Sequence, residues 1–311
     1  MDDKICTRNL TKTYNGVKAV DKVSLRVKKG EIYGFIGLNG AGKTSTIRML
    51  LGMVRPTSGE CFINGQPVNP GNYRIWNQVG SMVETPHAYP ELTVRENLEI
   101  NRSYYQLKGN TAVNHMIHRL KLSAYEHRKA KHLSMGNAQR LGIAKALLHE
   151  PEILLLDEPS NGLDPAGIVE IRDLLHELAY TRGTTIFISS HILGEISKIA
   201  TKIGIIHNGQ LIQELTKNEL EQKRIVKLLI NTRNIEGARK TLSHLGYTVK
   251  INKAGWLETQ SNEAVNYPDR LAKSLVLADH SPTMLYLEEE NLESYFLRVI
   301  GEEGGHHEDN R

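Results

Sequence analysis

The sequence has little of several features that would point to other protein classes. It holds two cysteines in 311 residues, Cys6 and Cys61, which excludes a disulfide scaffold and favours reduced thiols in a cytosolic protein. No stretch approaches the roughly 18–20 consecutive apolar residues of a membrane span, and the N-terminus lacks the basic and apolar regions of a signal peptide. The formal net charge of +4 is not concentrated in one run, so the charge pattern gives no basis for nucleic-acid binding.

Alternating strand and helix signals fill the first two thirds of the chain. Short apolar runs predict core strands, and helical periodicity between them predicts a mainly parallel sheet that is covered on its faces. From about 88 to 148 helical periodicity dominates, which predicts a helical subdomain. The predicted strands cover 23–27, 31–37, 59–64, 153–156, 184–189 and 203–206, and a predicted helix covers 44–51.

A second pattern begins after residue 217. Signals in the order β-α-β-β-α-β predict a small α+β domain of the ferredoxin-like kind over 218–300. One continuous helix is predicted over 264–277, and the last helix is predicted over 292–300. The polar, glycine-rich residues 301–311 are predicted to be disordered. The sequence therefore predicts domains at 1–217 and 218–300, followed by a tail.

Residues 37–44 carry the most specific signal in the chain. They read GLNGAGKT, which fits G-x-x-x-x-G-K-[ST] and lies between a predicted strand and a predicted helix, the context that this phosphate-binding loop requires. Glycines let backbone N–H groups surround phosphate oxygens, and the following helix directs its positive end at the same anion. We predict that Lys43 reaches the terminal phosphates of ATP and that the Thr44 hydroxyl ligates Mg²⁺. The other predicted contacts come from Asn39, Gly40, Ala41, Gly42 and Ser45.

The apolar run at 153–156 ends in two carboxylates. Residues 153–159 read ILLLDEP, and an acidic side chain at the end of such a strand is suited to a second Mg²⁺ contact. We predict that Asp157 holds the metal, through water, and that Glu158 polarises the attacking water. By itself this segment fits a strand-ending turn equally well, and the phosphate loop upstream is what favours catalysis.

With these motifs in place, the chain from about residue 5 to 215 resembles the ABC (ATP-binding cassette) ATPase family. Residues 133–137 read LSMGN and resemble the family's signature, which is usually LSGGQ. Residues 160–164 read SNGLD and resemble the loop that contacts the opposite subunit. The resemblance implies that Ser134, Gly136 and Asp164 serve the nucleotide that is bound to a second copy of the chain.

Further single positions fit the same family. The resemblance implies that His191 is the switch histidine that contacts the γ-phosphate and that Tyr14 is the aromatic platform that stacks on adenine. Asn137 and Glu84 depart from the pattern, since each stands where the family usually has glutamine. We expect Glu84 to lie near Mg²⁺ or its waters and to couple the nucleotide state to a partner.

The Glu84 departure and the C-terminus point to one branch of the family. A carboxylate at position 84 is typical of members that export or repel bacitracin and lantibiotic-type peptides. Residues 288–296 read EEENLESYF and resemble the ending of bacitracin-type members, although an ordinary amphipathic helix would also fit. The chain is identified as a member of this branch.

The resemblance implies an α/β fold with a P-loop NTPase core and with antiparallel β and helical subdomains. It implies an ATPase that works as a homodimer, with residues 37–44 of one copy facing Ser134 of the other across ATP. The expected partner is an integral membrane permease, so that the protein is peripheral on the cytoplasmic face of the membrane and contacts the bilayer only through that partner. The expected function is to energise efflux of, or immunity to, a bacitracin- or lantibiotic-type peptide.

Three alternatives stay open from the sequence. The chain could energise an importer or an exporter of another substrate, because the catalytic motifs are shared. A translation or repair factor is less compatible, since one cassette is present and no coiled-coil insertion is visible. A module that binds ATP without hydrolysing it would not need the set of Lys43, Thr44, Asp157, Glu158 and His191.

Overall fold

The chain is divided into two structural units, and the first of them ends at Lys217. The computed structural model describes residues 3–69, 71–84 and 86–304. In this part of the chain no helix combines the length and the apolar character that are needed to cross a bilayer.

The first unit contains both strands and helices, and short 3-10 helices also cover Tyr73–Gln78, Ser123–Tyr125 and Ala130–His132. In chain order its main elements are β1 (Asp3–Tyr14), β2 (Val17–Val23), β3 (Arg26–Lys28), β4 (Ile32–Ile36), α1 (Lys43–Leu50), β5 (Ser58–Ile63), β6 (Gln66–Pro67), β7 (Val79–Met82), α2 (Val94–Tyr104), α3 (Thr111–Arg119), α4 (Met135–Leu147), β8 (Ile153–Asp157), α5 (Pro165–Arg182), β9 (Thr185–Ser190), α6 (Leu193–Ile196), β10 (Lys202–His207) and β11 (Gln210–Thr216).

A six-stranded sheet forms the core of this unit. Its order is β11-β10-β4-β9-β8-β7, and its strands run parallel except for β11, which pairs antiparallel with β10. All residues of β4, β8 and β9 are buried, as expected for strands that are covered on both faces. The predicted α/β fold with a mainly parallel sheet is confirmed. The carboxyl ends of β4, β8 and β9 share one edge, and the chemistry-bearing motifs follow those strands.

A second, antiparallel sheet has the order β2-β1-β5-β6, with β3 also paired to β1. The predicted strand over 23–27 is wrong as one element, because β2 ends at Val23 and β3 begins at Arg26. Thr7 bridges the interruption: its hydroxyl donates to the carbonyl of Val23 at 2.9 Å and accepts from the N–H of Leu25 at 3.0 Å. The Thr7 side chain, in β1, thus takes the place of the backbone hydrogen bonds that a continuous strand over 23–27 would form.

The second unit begins at Asn218, in the first turn of α7 (Lys217–Lys223). Its further elements are β12 (Val226–Thr232), α8 (Ile235–His244), β13 (Lys250–Ile251), β14 (Leu257–Thr259), α9 (Asn262–Asn266), α10 (Pro268–Leu277), β15 (Pro282–Glu289) and α11 (Leu292–Gly304). The four strands form an antiparallel sheet of order β13-β14-β12-β15. The relation of this unit to ferredoxin-like domains stays a prediction.

Two predicted helices of this unit differ from the structure. The helix predicted over 264–277 is divided into α9 and α10, because Pro268 lacks an N–H and excludes helical backbone at Tyr267, where φ is −132° and ψ is 62°. The last helix continues to Gly304 instead of ending at 300. Residues 301–304 of the predicted disordered tail are therefore helical, and residues 305–311 lie outside the described residues.

An ion pair joins α11 to Glu290, the residue that directly follows β15. Arg298 donates from Nε and Nη2 to the two carboxylate oxygens of Glu290, at 2.9 and 2.7 Å. The same carboxylate accepts the N–H of Ile225 at 3.1 Å, next to the start of β12. The hydrogen bonds from Arg298 hold the pKa of Glu290 below its usual range, although partial burial opposes the shift.

We expect Glu290→Gln to lower the free energy of unfolding of the second unit by about 1–3 kcal/mol at pH 7, since hydrogen bonds to a charged group are lost. A lowered pKa stabilises the fold above the unfolded value of about 4.3 and ceases to do so as the pH falls through the folded value. The difference between variant and wild type should therefore shrink at pH 3. Urea unfolding followed by Trp256 fluorescence, in a Trp76→Phe background, measures both quantities.

Glu289→Gln is the matched control, because its carboxylate is 65% exposed and lies 3.4 Å from Arg224. We expect a change of less than about 1 kcal/mol for this exposed pair. Equal losses in the two variants, or a Glu290→Gln effect that is independent of pH, would contradict the assigned role.

Candidate functional site

The motif at 37–44 comprises the loop 37–42, which connects the buried strand β4 to α1, and the first two residues of α1. Gly42 stands before α1 with φ at 107°, a backbone conformation that favours glycine. A Cβ at this position would collide with the carbonyl of Ala19, and a Cβ at Gly37 would collide with the carbonyl of Ile206. The sequence needs glycine here because the loop lies directly against β2 and β10.

Lys43 is directed back over the loop. Its side chain is 6% exposed, and its ammonium donates to the carbonyls of Gly37 and Leu38 at 2.8 and 3.2 Å. The ammonium also lies 3.1 Å from Oε1 of Glu158. A buried cation beside backbone N–H groups at the start of a helix is suited to binding the phosphates of a nucleotide.

Glu158 occupies an unusual backbone conformation directly after β8. Its φ is 51°, in the left-handed region that is uncommon for residues with a Cβ. Its N–H donates to Oγ of Ser189 at 3.0 Å, and its Oε2 lies 2.5 Å from Nδ1 of His191. The turn therefore directs the carboxylate between Lys43 and His191, where a general base can act on water next to a bound phosphate.

Asp157 is the last residue of β8 and is 1% exposed. Its carboxylate accepts hydrogen bonds from the hydroxyls of Thr44, at 2.8 Å, and Ser189, at 2.5 Å. Carboxylate and hydroxyl oxygens are the ligands that Mg²⁺ prefers. The residues present thus fit the predicted magnesium site.

These groups lie in one cleft with a volume of about 610 Å³. The structure brings most of the predicted site residues together here, namely Asn39, Gly40, Gly42, Lys43, Thr44, Ser45, Glu84, Asp157, Glu158 and His191. Sequence reasoning missed other lining residues, which are Ala19, Pro86, Met135, Ala138, Gln139 and Asn161. Of these, Met135 and Gln139 stand in or beside the signature-like segment, which was the signal that could have found them.

Two predicted contacts, Ala41 and Tyr14, are not among the described residues that line the cleft. Ala41 is 4% exposed and belongs to the hydrophobic core. Tyr14 ends β1, is 40% exposed, and lies beneath the ammonium of Lys12, which is 5.0 Å from the ring centroid. Stacking of Tyr14 on adenine stays a prediction.

The residues that were predicted to serve a second copy also lie outside this cleft, at or near the starts of helices. Ser134 caps α4 by accepting from the N–H of Asn137 at 3.3 Å, and Asp164 caps α5 by accepting from the N–H of Gly167 at 2.9 Å. Gly136 is in the first turn of α4, where an added Cβ would lie 3.0 Å from the carbonyl of Gly162. The free N–H groups of α4 give its start an anion-binding character.

Glu84 connects the cleft to a second cavity, of about 350 Å³. It has a φ of 56° and forms an ion pair with Arg48 of α1, with Oε1 2.7 Å from Nη2. The second cavity is also lined by Arg48, Met53 and Tyr105. Glu84 and α1 therefore border both the phosphate loop and a separate depression on the surface.

Comparison with known proteins supplies the family. The family model described as ABC transporter matches residues 20–161. The bacitracin transport ATP-binding protein BcrA of Bacillus licheniformis is 40% identical over 304 residues, which cover 97% of this chain and 98% of the relative. The chain belongs to the family of ABC transporter ATP-binding proteins. This ABC ATPase is thus an ATP-hydrolysing enzyme, and the predicted family is confirmed.

Two further proteins similar to this ABC ATPase each match about two thirds of its chain. The lantibiotic transport ATP-binding protein SrtF of Streptococcus pyogenes is 36% identical over 67% of this chain and 88% of the relative. The dimeric bacterial ABC transporter cassette MJ0796 superposes with a TM-score of 0.64 and 26% identity, over 68% of this chain and 98% of that structure. The match in structure agrees with the α/β core described above.

Proposed function

We propose that this ATPase energises efflux of, or immunity to, a peptide antibiotic of the bacitracin or lantibiotic type, through a separate membrane permease. The observation that carries the proposal is the length of the match to BcrA, which covers 97% of the chain. The likeness therefore extends over the second unit and is not limited to the ATPase motifs that importers share. No observation favours an importer or a module that binds ATP without hydrolysing it.

In the proposed reaction, water attacks the γ-phosphorus of ATP and gives its proton to Glu158, the bond to the β–γ bridging oxygen breaks, and ADP leaves. Glu158 orients and polarises this water, and Lys43 and His191 stabilise the charge of the transferred phosphoryl group. Thr44 and Asp157 would hold Mg²⁺, which when bound neutralises phosphate charge. The contacts of Glu158 with Lys43, at 3.1 Å, and with His191, at 2.5 Å, support this set of roles.

We further propose that the active form is a homodimer around two ATP molecules. Ser134 and Gly136 of one copy would face the nucleotide held by residues 37–44 of the other. Their position at the start of α4, outside the cleft of their own chain, supports this arrangement. The relative MJ0796 is a dimeric cassette, and opening and closing of such a dimer would drive the permease between its states.

Glu84 is proposed to couple the nucleotide site to the permease on the cytoplasmic face of the membrane. It lines both the cleft and the second cavity, and it is paired with Arg48 on the helix that follows the phosphate loop. A change at the phosphates can therefore reach the second cavity through α1 and Glu84.

We expect Glu84→Gln to reduce resistance in cells by a larger factor than it reduces the ATPase rate of the isolated subunit. The Arg48–Glu84 pair has side chains that are 38% and 49% exposed, so its loss costs at most about 1 kcal/mol of stability. Glu91→Gln, another exposed carboxylate with lysine partners, is the control. Unchanged ATPase and unchanged resistance in Glu84→Gln would disprove the coupling role.

The proposed function is tested by antibiotic susceptibility. A strain that lacks this gene and the gene of its membrane partner receives both genes, with either wild-type chain or Glu158→Gln. Growth at raised bacitracin or lantibiotic concentration is expected only with the wild type. Equal susceptibility of the deleted and the complemented strain to both antibiotic classes would reject the proposed substrates, and a phosphate-release assay separates that result from a failure of ATP hydrolysis.

A further inference from the structure

A buried glutamine connects α4 to the proposed catalytic glutamate. Gln139 is 2% exposed, and its side-chain amide Nε2 donates to the backbone carbonyl of Glu158 at 3.1 Å. The two residues lie on different elements and are 19 residues apart in the chain. A polar side chain at this depth is normally hydrogen-bonded, and the partner here belongs to the residue with the left-handed backbone.

The turn at Glu158 is held from two sides. On one side its N–H donates to the side-chain and backbone oxygens of Ser189, at 3.0 and 3.2 Å. On the other side its carbonyl accepts from Gln139 and from the N–H of Asn161, at 3.1 Å in both cases. Asn161 belongs to the same turn, so its hydrogen bond does not fix the turn relative to the rest of the fold. Gln139 lies on another element, α4, and its hydrogen bond does so.

The conformation needs such support. A left-handed backbone at a residue with a Cβ is unfavourable and persists where surrounding contacts determine it. It is this conformation that directs the Glu158 carboxylate to Lys43 and His191 instead of along the strand. A shift of the turn would move the carboxylate away from the water that it is proposed to orient, and catalysis is sensitive to displacements of about 1 Å.

We infer that Gln139 is a positioning residue, which holds the peptide of Glu158 so that the carboxylate reaches the attacking water. The inference rests on the proposed role of Glu158 in hydrolysis. Gln139 lines the cleft but acts through Glu158 and is assigned no contact with ATP. Its loss should therefore reduce turnover and leave nucleotide binding intact.

The test uses Gln139→Met in the full-length chain, because methionine keeps the length of the side chain and removes the amide. Loss of one hydrogen bond predicts a kcat about tenfold lower, with KM and the Kd of a fluorescent ATP analogue within about twofold of wild type. Gln139→Glu is the second variant: it keeps the size, and its ionised carboxylate cannot donate to the carbonyl. Gln139→Glu should also lower kcat. It takes the place of Gln139→Met in the test if that variant fails to fold.

Thr7→Val is the matched control. Like Gln139→Met, it removes a buried polar group that is hydrogen-bonded to backbone, here a hydroxyl that bonds to Val23 and Leu25. It should cost comparable stability while leaving kcat within about twofold. A merely structural Gln139 would behave like this control. Thermal unfolding of all three variants shows whether the losses of stability match.

A double-mutant comparison isolates the pathway through Glu158. In a Glu158→Gln background, measured in single-turnover reactions, Gln139→Met should cause no further loss of rate. The inference is overturned if Gln139→Met keeps the kcat of the wild type, or if kcat and ATP affinity fall together. It is also overturned if Gln139→Met lowers the rate in the Glu158→Gln background by the same factor as in the wild type. Failure of the wild type to hydrolyse Mg·ATP would instead reject the proposed function.

Discussion

Glu158→Gln is expected to bind ATP and to hydrolyse it about 10²–10⁴-fold more slowly than the wild type, the usual contribution of a general base. The amide retains the size of the side chain but cannot take a proton from water. ATP binding should persist, because the change removes a negative charge 3.1 Å from Lys43 in a cleft that must accept a triphosphate. Because the bridging nucleotide is not consumed, the variant should accumulate as an ATP-dependent dimer.

Phosphate release gives the rate, and size-exclusion chromatography with and without ATP gives the oligomeric state. Glu152→Gln is the control, since this carboxylate is 57% exposed and pairs with Lys4, outside the described lining of the cleft. Turnover of Glu158→Gln within threefold of the wild type would remove Glu158 from its proposed role.

Lys43→Ala should lose productive ATP binding. Truncating one partner of a buried charge pair costs about 2–5 kcal/mol, which corresponds to a Kd that is roughly 30-fold to several thousand-fold higher. The ammonium of Lys43 is held by the carbonyls of Gly37 and Leu38 at the phosphate loop. The other residues of 37–44 are uncharged, so none of them can replace its charge. Equilibrium binding of a fluorescent ATP analogue measures the change directly.

Lys121→Ala provides the comparison for loss of a lysine. Its side chain is 65% exposed and pairs with Glu170, and we expect its Kd for the analogue to match that of the wild type. An affinity of Lys43→Ala within threefold of the wild type would contradict the assignment of the loop as the phosphate site.

The parts of the fold and site that the sequence predicts are those determined within short segments. Residues 37–42 form a loop between β4 and α1, and the sequence shows this because glycines stand where the turn needs them, next to both elements. Asp157 follows a run of apolar side chains, and their apolar character alone indicates that the strand is buried. The sheet edge at which these segments meet follows from the parallel order of the strands.

The features that the sequence does not predict depend on contacts between distant residues. The break between β2 and β3 is set by Thr7, and the Arg48–Glu84 pair joins residues 36 positions apart. Neither contact leaves a local pattern. The division of α9 from α10 is different, because Pro268 is a local signal that the helical periodicity around it outweighed in the prediction.

The helix α4 has a consequence for how two hydrolysis events relate. Ser134 caps this helix, and Gln139 lies five residues later, which corresponds to about 7.5 Å along the helix axis. In the proposed dimer, the cap touches the neighbour's nucleotide while the glutamine supports the glutamate of its own chain. Each α4 would then affect both ATP sites of the dimer. A mixed dimer in which one α4 is altered should therefore retain well under half of the normal turnover.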